Sequence, residues 1–183
     1  AESVDAYKSA EYWSNYADAI IAYDFENGVV VEPEVSINNV IHYTATAKVE
    51  ADSNYPWAYD TFGANVVSNE WNSETGEGVI TFDADVTTIG DYAFITCFSL
   101  TNITIPDSVQ TIGYETFYDC GKLASITVGN GVTNIDRDAF YDCYSLAEIV
   151  IPKGVMSIGD GAFSDCMDLS RIVIPEGVKS IGD

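Results

Sequence analysis

From Ile89 onward a single pattern returns every 23 residues without insertion or deletion, and this period constrains the fold more than anything else in the chain. Isoleucine stands at Ile89, Ile112, Ile135, Ile158 and Ile181, and phenylalanine follows at Phe94, Phe117, Phe140 and Phe163. All the cysteines fall in register at Cys97, Cys120, Cys143 and Cys166. So do Leu100, Leu123, Leu146 and Leu169, and a second isoleucine set, Ile103, Ile126, Ile149 and Ile172. A fixed period of roughly 20–50 residues marks a stacked-coil architecture, in which each unit covers its apolar side only against its neighbours. Such a stack displays surfaces, so the period points to binding more than to a reaction centre.

Within the unit, Leu146-Ala147-Glu148-Ile149-Val150-Ile151 alternates β-branched residues and predicts a short strand with Ile149 and Ile151 inward. Pro106, Pro152 and Pro175, with Gly129 in the remaining unit, end that strand. The Val-x-x-Ile-Gly run, as in Val155–Gly159, predicts a second, shorter extended stretch. Gly90, Gly113, Gly159 and Gly182 read as places where the backbone takes a geometry that a β-carbon disfavours, with Asp136 as the exception. The Ala-Phe-x-x-Cys segment is too short for a stable α-helix and predicts a single 3₁₀ or helical turn. Ile80, Phe82 and Val86 stand one period before Ile103, Ile105 and Val109, which places a first rung strand in 80–88. Residues 64–79 predict a hairpin turning at Ser73-Glu74-Thr75-Gly76.

Charge narrows the partners. Seven basic residues against 29 acidic ones leave a net charge of −22, which repels phosphate backbones and anionic lipid heads. Nucleic acid is therefore excluded as a partner. No apolar run approaches the roughly 20 residues of a membrane span, so direct membrane insertion is not expected. The chain opens on Ala1-Glu2-Ser3, without the basic start and apolar core of a signal peptide. Ile181-Gly182-Asp183 begins a fifth unit and stops, so we expect a repeat region truncated at its C-terminus. The strand Arg171–Ile174 would then be an uncovered edge, and weak end-to-end self-association through 167–183 is expected.

The N-terminal part divides in two. Residues 1–25 read as a helical segment: Ala6, Ala10, Trp13, Ala17, Ile20 and Ile21 share one side, and Ser3 is placed to cap it. Residues 26–79 read as a β-rich lead-in, with strands at Val29-Val30-Val31 and from Val40 to Ala45. All the tryptophans, Trp13, Trp57 and Trp71, precede residue 80. These rings suit either a sugar-binding platform or the cover of a small domain without a repeat core, and we favour the second.

The unit Ile-Gly-x-x-Ala-Phe-x-x-Cys-x-x-Leu-x-x-Ile-x-Ile-Pro-x-x-Val, over residues 80–183, resembles the BspA-type leucine-rich repeat found in many bacterial surface proteins. It departs from the pattern at Thr116 for Ala, Asp136 for Gly and Gly129 for Pro. The stretches Asn39–Thr44 and Phe62–Asn69 resemble the β-rich leader that introduces such arrays, and residues 3–21 resemble the tail that closes one. The resemblance implies a mainly β leucine-rich-repeat solenoid with a β-rich lead-in and a short N-terminal helix. It further implies a secreted or cell-surface protein that binds other macromolecules, with no catalytic residues.

The chemistry-bearing residues carry little else. Stacked cysteine side chains point the same way and stay near the rung spacing, longer than the ~3.8 Å between β-carbons that a disulfide prefers, so inaccessible free thiols are expected. Their spacing does not suit zinc. Asp119, Asp142 and Asp165 form a carboxylate column that suits either calcium or a solvated, turn-capping row, and we favour the row. His42, the only histidine, reads as a structural residue in a strand. Gly129-Asn130-Gly131 is a turn and does not match a phosphate loop. No catalytic, cofactor-binding or metal-binding residue is assigned. The candidate surface is the outward side of the longer strands: Asn102, Thr104, Ser125, Thr127, Glu148, Val150, Arg171 and Val173. It suits a binding or adhesion module for a protein or glycan at the cell surface or outside the cell; the alternative is a structural spacer between domains.

Overall fold

The computed structural model describes residues 22–24, 29–31, 38–49 and 61–183. The chain divides into two units, 1–36 and 37–183. In the first, β1 (Ala22–Asp24) pairs antiparallel with β2 (Val29–Val31), with Tyr23 opposite Val30. The helical segment expected over residues 1–25 lies outside the described residues except at 22–24, which form β1 and not helix.

The second unit begins with three six-residue strands, β3 (Val40–Ala45), β4 (Val66–Trp71) and β5 (Glu77–Phe82). The hairpin between β4 and β5 turns where the sequence predicts. There the Asn72 side-chain oxygen accepts the Glu74 N–H at 2.8 Å, and the Asn72 carbonyl accepts the Gly76 N–H at 2.8 Å.

Two parallel series of rungs follow. The shorter rungs are β6 (Thr88–Ile89), β8 (Thr111–Ile112), β10 (Asn134–Ile135), β12 (Ser157–Ile158) and β14 (Ser180–Ile181), and they form one five-stranded sheet in that order. The longer rungs are β7 (Leu100–Thr104), β9 (Ser125–Thr127), β11 (Glu148–Val150) and β13 (Arg171–Val173). β7 pairs with β9 residue for equivalent residue, as Ile103 with Ile126, and β11 pairs likewise with β13 in a separate two-stranded sheet, as Ile149 with Ile172. The result is the expected mainly β repeat solenoid, with no helix among the described residues.

Four local expectations need correction, the last of them at the cysteines. Ile80 and Phe82 are buried like their repeat equivalents, but β5 is not a parallel rung against β7. The sheet order is β4-β5-β3-β7-β9, so β3 lies between them and runs antiparallel to both. The alternating strand β3, which buries Ile41, Tyr43 and Ala45, fills the place that a parallel rung would occupy.

The Ala-Phe-x-x-Cys segment is not a 3₁₀ turn. Its N–H groups alternate between two destinations. Those of Ala93, Ile95 and Cys97 bond back to Gly90, Tyr92 and Phe94 at 3.3, 3.1 and 3.2 Å. Those of Tyr92, Phe94 and Thr96 bond forward to Tyr114, Thr116 and Tyr118 of the next coil at 3.0, 2.9 and 2.7 Å. Left-handed residues interrupt any helix twice per coil, at Tyr92, Glu115, Asp138 and Gly161, and again at Thr96, Asp119, Asp142 and Asp165.

The positive φ therefore does not fall at Gly90, Gly113, Gly159 or Gly182. Those glycines serve close approach: a β-carbon on Gly159 would lie 2.4 Å from the Arg137 backbone nitrogen of the preceding coil. The aspartate column sits instead at one of the left-handed positions, which Asp tolerates better than most residues. The threonine at Thr116 is fully buried, and its hydroxyl is satisfied by the Gly113 and Gly90 carbonyls at 2.8 and 3.0 Å.

The core is a set of columns. Phe94, Phe117, Phe140 and Phe163 stack face to face, their centroids 5.3, 5.2 and 5.3 Å apart. Phe62 closes the column edge-on against Phe94 at 5.9 Å and also packs on Phe82 at 4.9 Å. All the cysteines are free. The Cys120, Cys143 and Cys166 thiols donate to the carbonyls of Phe94, Phe117 and Phe140 in the preceding coils, at 3.1, 3.3 and 3.2 Å. Burial pushes the Cys120 and Cys143 thiols well up, and Cys166 up to about 11. Cys97 and Cys166 are only half-buried, so inaccessibility extends to Cys120 and Cys143 and not to all. Each half-buried thiol belongs to an outer described coil, where the stack covers it from one side.

Candidate functional site

The side chains of the longer rungs divide by the strand period: Ile103, Ile126 and Ile149 point into the core, and the residues flanking them point out. Thr104, Ser125, Thr127, Glu148, Val150, Arg171 and Val173 are exposed, and Asn102 is half-buried. Strand pairing within β7–β9 and within β11–β13, together with the 23-residue period that relates the two pairs, sets them in two rows. Asn102 and Ser125 share one row, in which Glu148 and Arg171 are also neighbours. Thr104 and Thr127 share the other, in which Val150 and Val173 are neighbours.

The antiparallel strands prolong both rows, which the repeat period could not reveal. Glu70, Val79 and His42 continue the row of Thr104, and Glu77 and Thr44 continue that of Asn102. His42 is thus an exposed member of this face, beside Thr104. The signal that could have found it is the alternation from Val40 to Ala45, combined with the pairing of that strand against a repeat rung.

The face changes character along its length. Near β3 it is a closed polar network. The Thr44 and Thr101 hydroxyls lie 2.8 Å apart, the Asn102 amide donates to the Thr44 hydroxyl at 2.6 Å, and the Ser125 hydroxyl bonds to the Asn102 side-chain oxygen. These groups satisfy one another. Toward β13 the face is open and its two rows differ: one carries the charged Glu148 and Arg171, and the other is apolar, with Val150 73% exposed and Val173 51%. Beside these valines lies a cleft of about 890 Å³, bordered by Pro152, Lys153, Pro175 and Glu176. That volume falls in the range of about 300–1,000 Å³ typical of small-ligand sites. The cleft offers two valines and two prolines for apolar contact, with one ammonium and one carboxylate at its edge. It contains no paired acid and base or nucleophile of the kind catalysis uses.

No curated protein sequence matches the chain. Among solved structures it is similar to a leucine rich repeat protein of T. pallidum, with 40% identity and a TM-score of 0.54, over 55% of this chain and 47% of that one. It is also similar to a leucine-rich repeat protein from Bacteroides ovatus, with 35% identity and a TM-score of 0.50, over 64% of this chain and 28% of that one. The chain thus spans less than half the length of either. The profile of the BspA type leucine rich repeat region matches residues 71–183 in six copies. Its span begins at Trp71, the last residue of β4, and takes in β5 as well as the coils. With the period, the two rung series and the profile in agreement, the chain belongs to the BspA type leucine rich repeat family.

Proposed function

We propose that this protein is a non-catalytic binding or adhesion module, displayed on a bacterial cell surface or secreted, whose sheet face engages a protein or glycan partner. The contact surface comprises Asn102, Thr104, Ser125, Thr127, Glu148, Val150, Arg171 and Val173. The observation that carries this reading is the pair of exposed valines beside the cleft, at the end of the face where polar groups do not close on one another. Water-exposed apolar side chains next to a concavity gain from being covered, whereas the Asn102 network has already met its own hydrogen bonds. Arg171 and Glu148 supply charged contacts at the rim, which set orientation more than affinity. Family membership supports the surface location.

The test is an array of glycans and extracellular-matrix proteins probed with the 183-residue chain, followed by titration of each hit with Val150→Asp/Val173→Asp. Both positions are exposed, so the substitutions leave the core intact. A loss of about tenfold or more in affinity is expected. Unchanged affinity would move the contact elsewhere on the molecule, and an array without hits would favour the spacer reading.

A further inference from the structure

The turn side of the coils carries a second surface of different chemistry. The Tyr118 and Tyr141 rings stack 5.1 Å apart at an interplanar angle of 6°, both half-exposed. Beside them runs the column Asp119, Asp142 and Asp165, held in register because all three residues take the left-handed backbone, with φ of 55°, 59° and 56°. Beyond the carboxylates, Phe98, Tyr144 and Met167 are exposed at 59%, 38% and 74%. The face is therefore an aromatic stack and an acidic column with apolar residues at its edge.

The chain itself shows what such a surface holds. On the neighbouring turn positions, Arg137 sets its guanidinium carbon 5.7 Å from the Tyr114 ring centre and pairs its Nε with Asp138 at 2.9 Å. A planar cation over a phenol ring with a carboxylate alongside is a favourable arrangement for both partners. The Tyr118–Tyr141 stack and its aspartates offer the same groups, although these two rings cover one face of each other and leave only their outer faces to a cation, while the nearby bases are engaged elsewhere: Arg137 with Asp138 and Tyr114, and Lys122 with the Thr46 hydroxyl at 3.4 Å. The like charges act on one another. Burial raises the Asp142 carboxyl and the Asp165 and Asp119 charges add to the rise, against a lowering hydrogen bond from Tyr144. A cation offsets that repulsion; a neutral sugar stacked on the rings does not.

We propose that this turn face docks a basic segment of a partner protein, with a guanidinium or ammonium group on an outer face of the Tyr118–Tyr141 stack and further ones paired with Asp119, Asp142 and Asp165. This surface is distinct from the sheet face, and neither proposal depends on the other.

The test titrates the full chain with a short peptide of alternating arginine and glycine, by calorimetry and by NMR of the tyrosine rings. Binding that weakens with salt and shifts the Tyr118 and Tyr141 ring resonances is expected. Asp142→Asn/Asp165→Asn keeps residues that tolerate the left-handed backbone and should weaken binding about tenfold. Glu70→Gln/Glu74→Gln removes the same charge far from the stack and should change it less than about twofold. Equal losses from the two pairs would reduce the effect to net charge and overturn the proposal. Unmoved tyrosine resonances would also overturn it, as would a neutral oligosaccharide that shifts them where the peptide does not.

Discussion

In β3, β4 and β5, six-residue strands pair antiparallel, and different residues meet across each pair: Tyr43 faces Gly78 on one side and Ile103 on the other. In the coils, rungs of two to five residues pair parallel, and each side chain meets its own equivalent 23 positions away. The first arrangement fits shapes by complementarity. The Tyr43 ring covers Gly78, and its hydroxyl donates to the Asn69 side-chain oxygen at 2.9 Å. The second fits by repetition, so a residue that stacks well once stacks well in every coil. Complementary packing leaves little periodic trace in a sequence, and repetition leaves a strong one. Strand β3 joins the two regions because it offers an alternating strand to both.

The largest effect that would separate these modes lies in the phenylalanine column. Phe117 is fully buried between two stacked rings, so Phe117→Ala should cost about 3–5 kcal/mol in chemical denaturation. Phe163 is half-buried and stacks on one ring, so Phe163→Ala should cost clearly less. Equal costs would mean that stacking on both sides adds nothing.

Glycine substitutions sharpen the contrast at smaller scale. An added methyl at Gly78 meets the Tyr43 ring, a side chain with some room to tilt, whereas at Gly159 it meets the Arg137 backbone. Overpacking costs roughly 1–3 kcal/mol, and we expect Gly159→Ala at the upper end and Gly78→Ala at the lower. The reverse order in urea midpoints would contradict the close coil-to-coil approach.

Smaller still is the left-handed column. Thr96 holds a β-branched side chain at φ 55°, where the later coils have Asp119, Asp142 and Asp165. Thr96→Asp should stabilise the protein by roughly 1 kcal/mol, and Asp142→Thr should lose a similar amount. No change in either midpoint would show that the left-handed geometry does not select the residue.

The smallest effect is on titration. A hydrogen bond to Glu115, followed by desolvation, raises the Tyr114 phenol to about 12. Its folded pKa lies above the unfolded value near 10, so its contribution to stability is complete below about pH 10 and fades as pH rises toward 12. Ultraviolet titration should show a tyrosine ionising late, and Glu115→Gln should bring it earlier.

How far the sequence was legible follows the same division. The period from Ile89 to Ile181 specified both rung series, the inward columns and the outward positions from Asn102 to Val173, because identical coils repeat identical contacts. It misplaced β5, because Ile80 and Phe82 keep the repeat's burial while their backbone pairs with β3. The glycines were given the wrong role. A residue that recurs at one register reports a spatial need, and at Gly159 that need is proximity, not dihedral angle. The aspartate column had the left-handed geometry instead, which the Thr96 departure disguised. Of the candidate surface, the repeat half was legible; His42, Thr44 and Val79 were not, since only the pairing of β3 brings them onto that face.

The central claim is that β3 joins the antiparallel strands to the coils as one continuous sheet face, and cross-strand proton contacts measured by NMR test it most directly. The structure predicts contacts from His42 and Tyr43 to Val79 and Gly78 on one side and to Thr104 and Ile103 on the other, with none between β5 and β7. Direct parallel contacts between Ile80 and Ile103, without β3 between them, would contradict it.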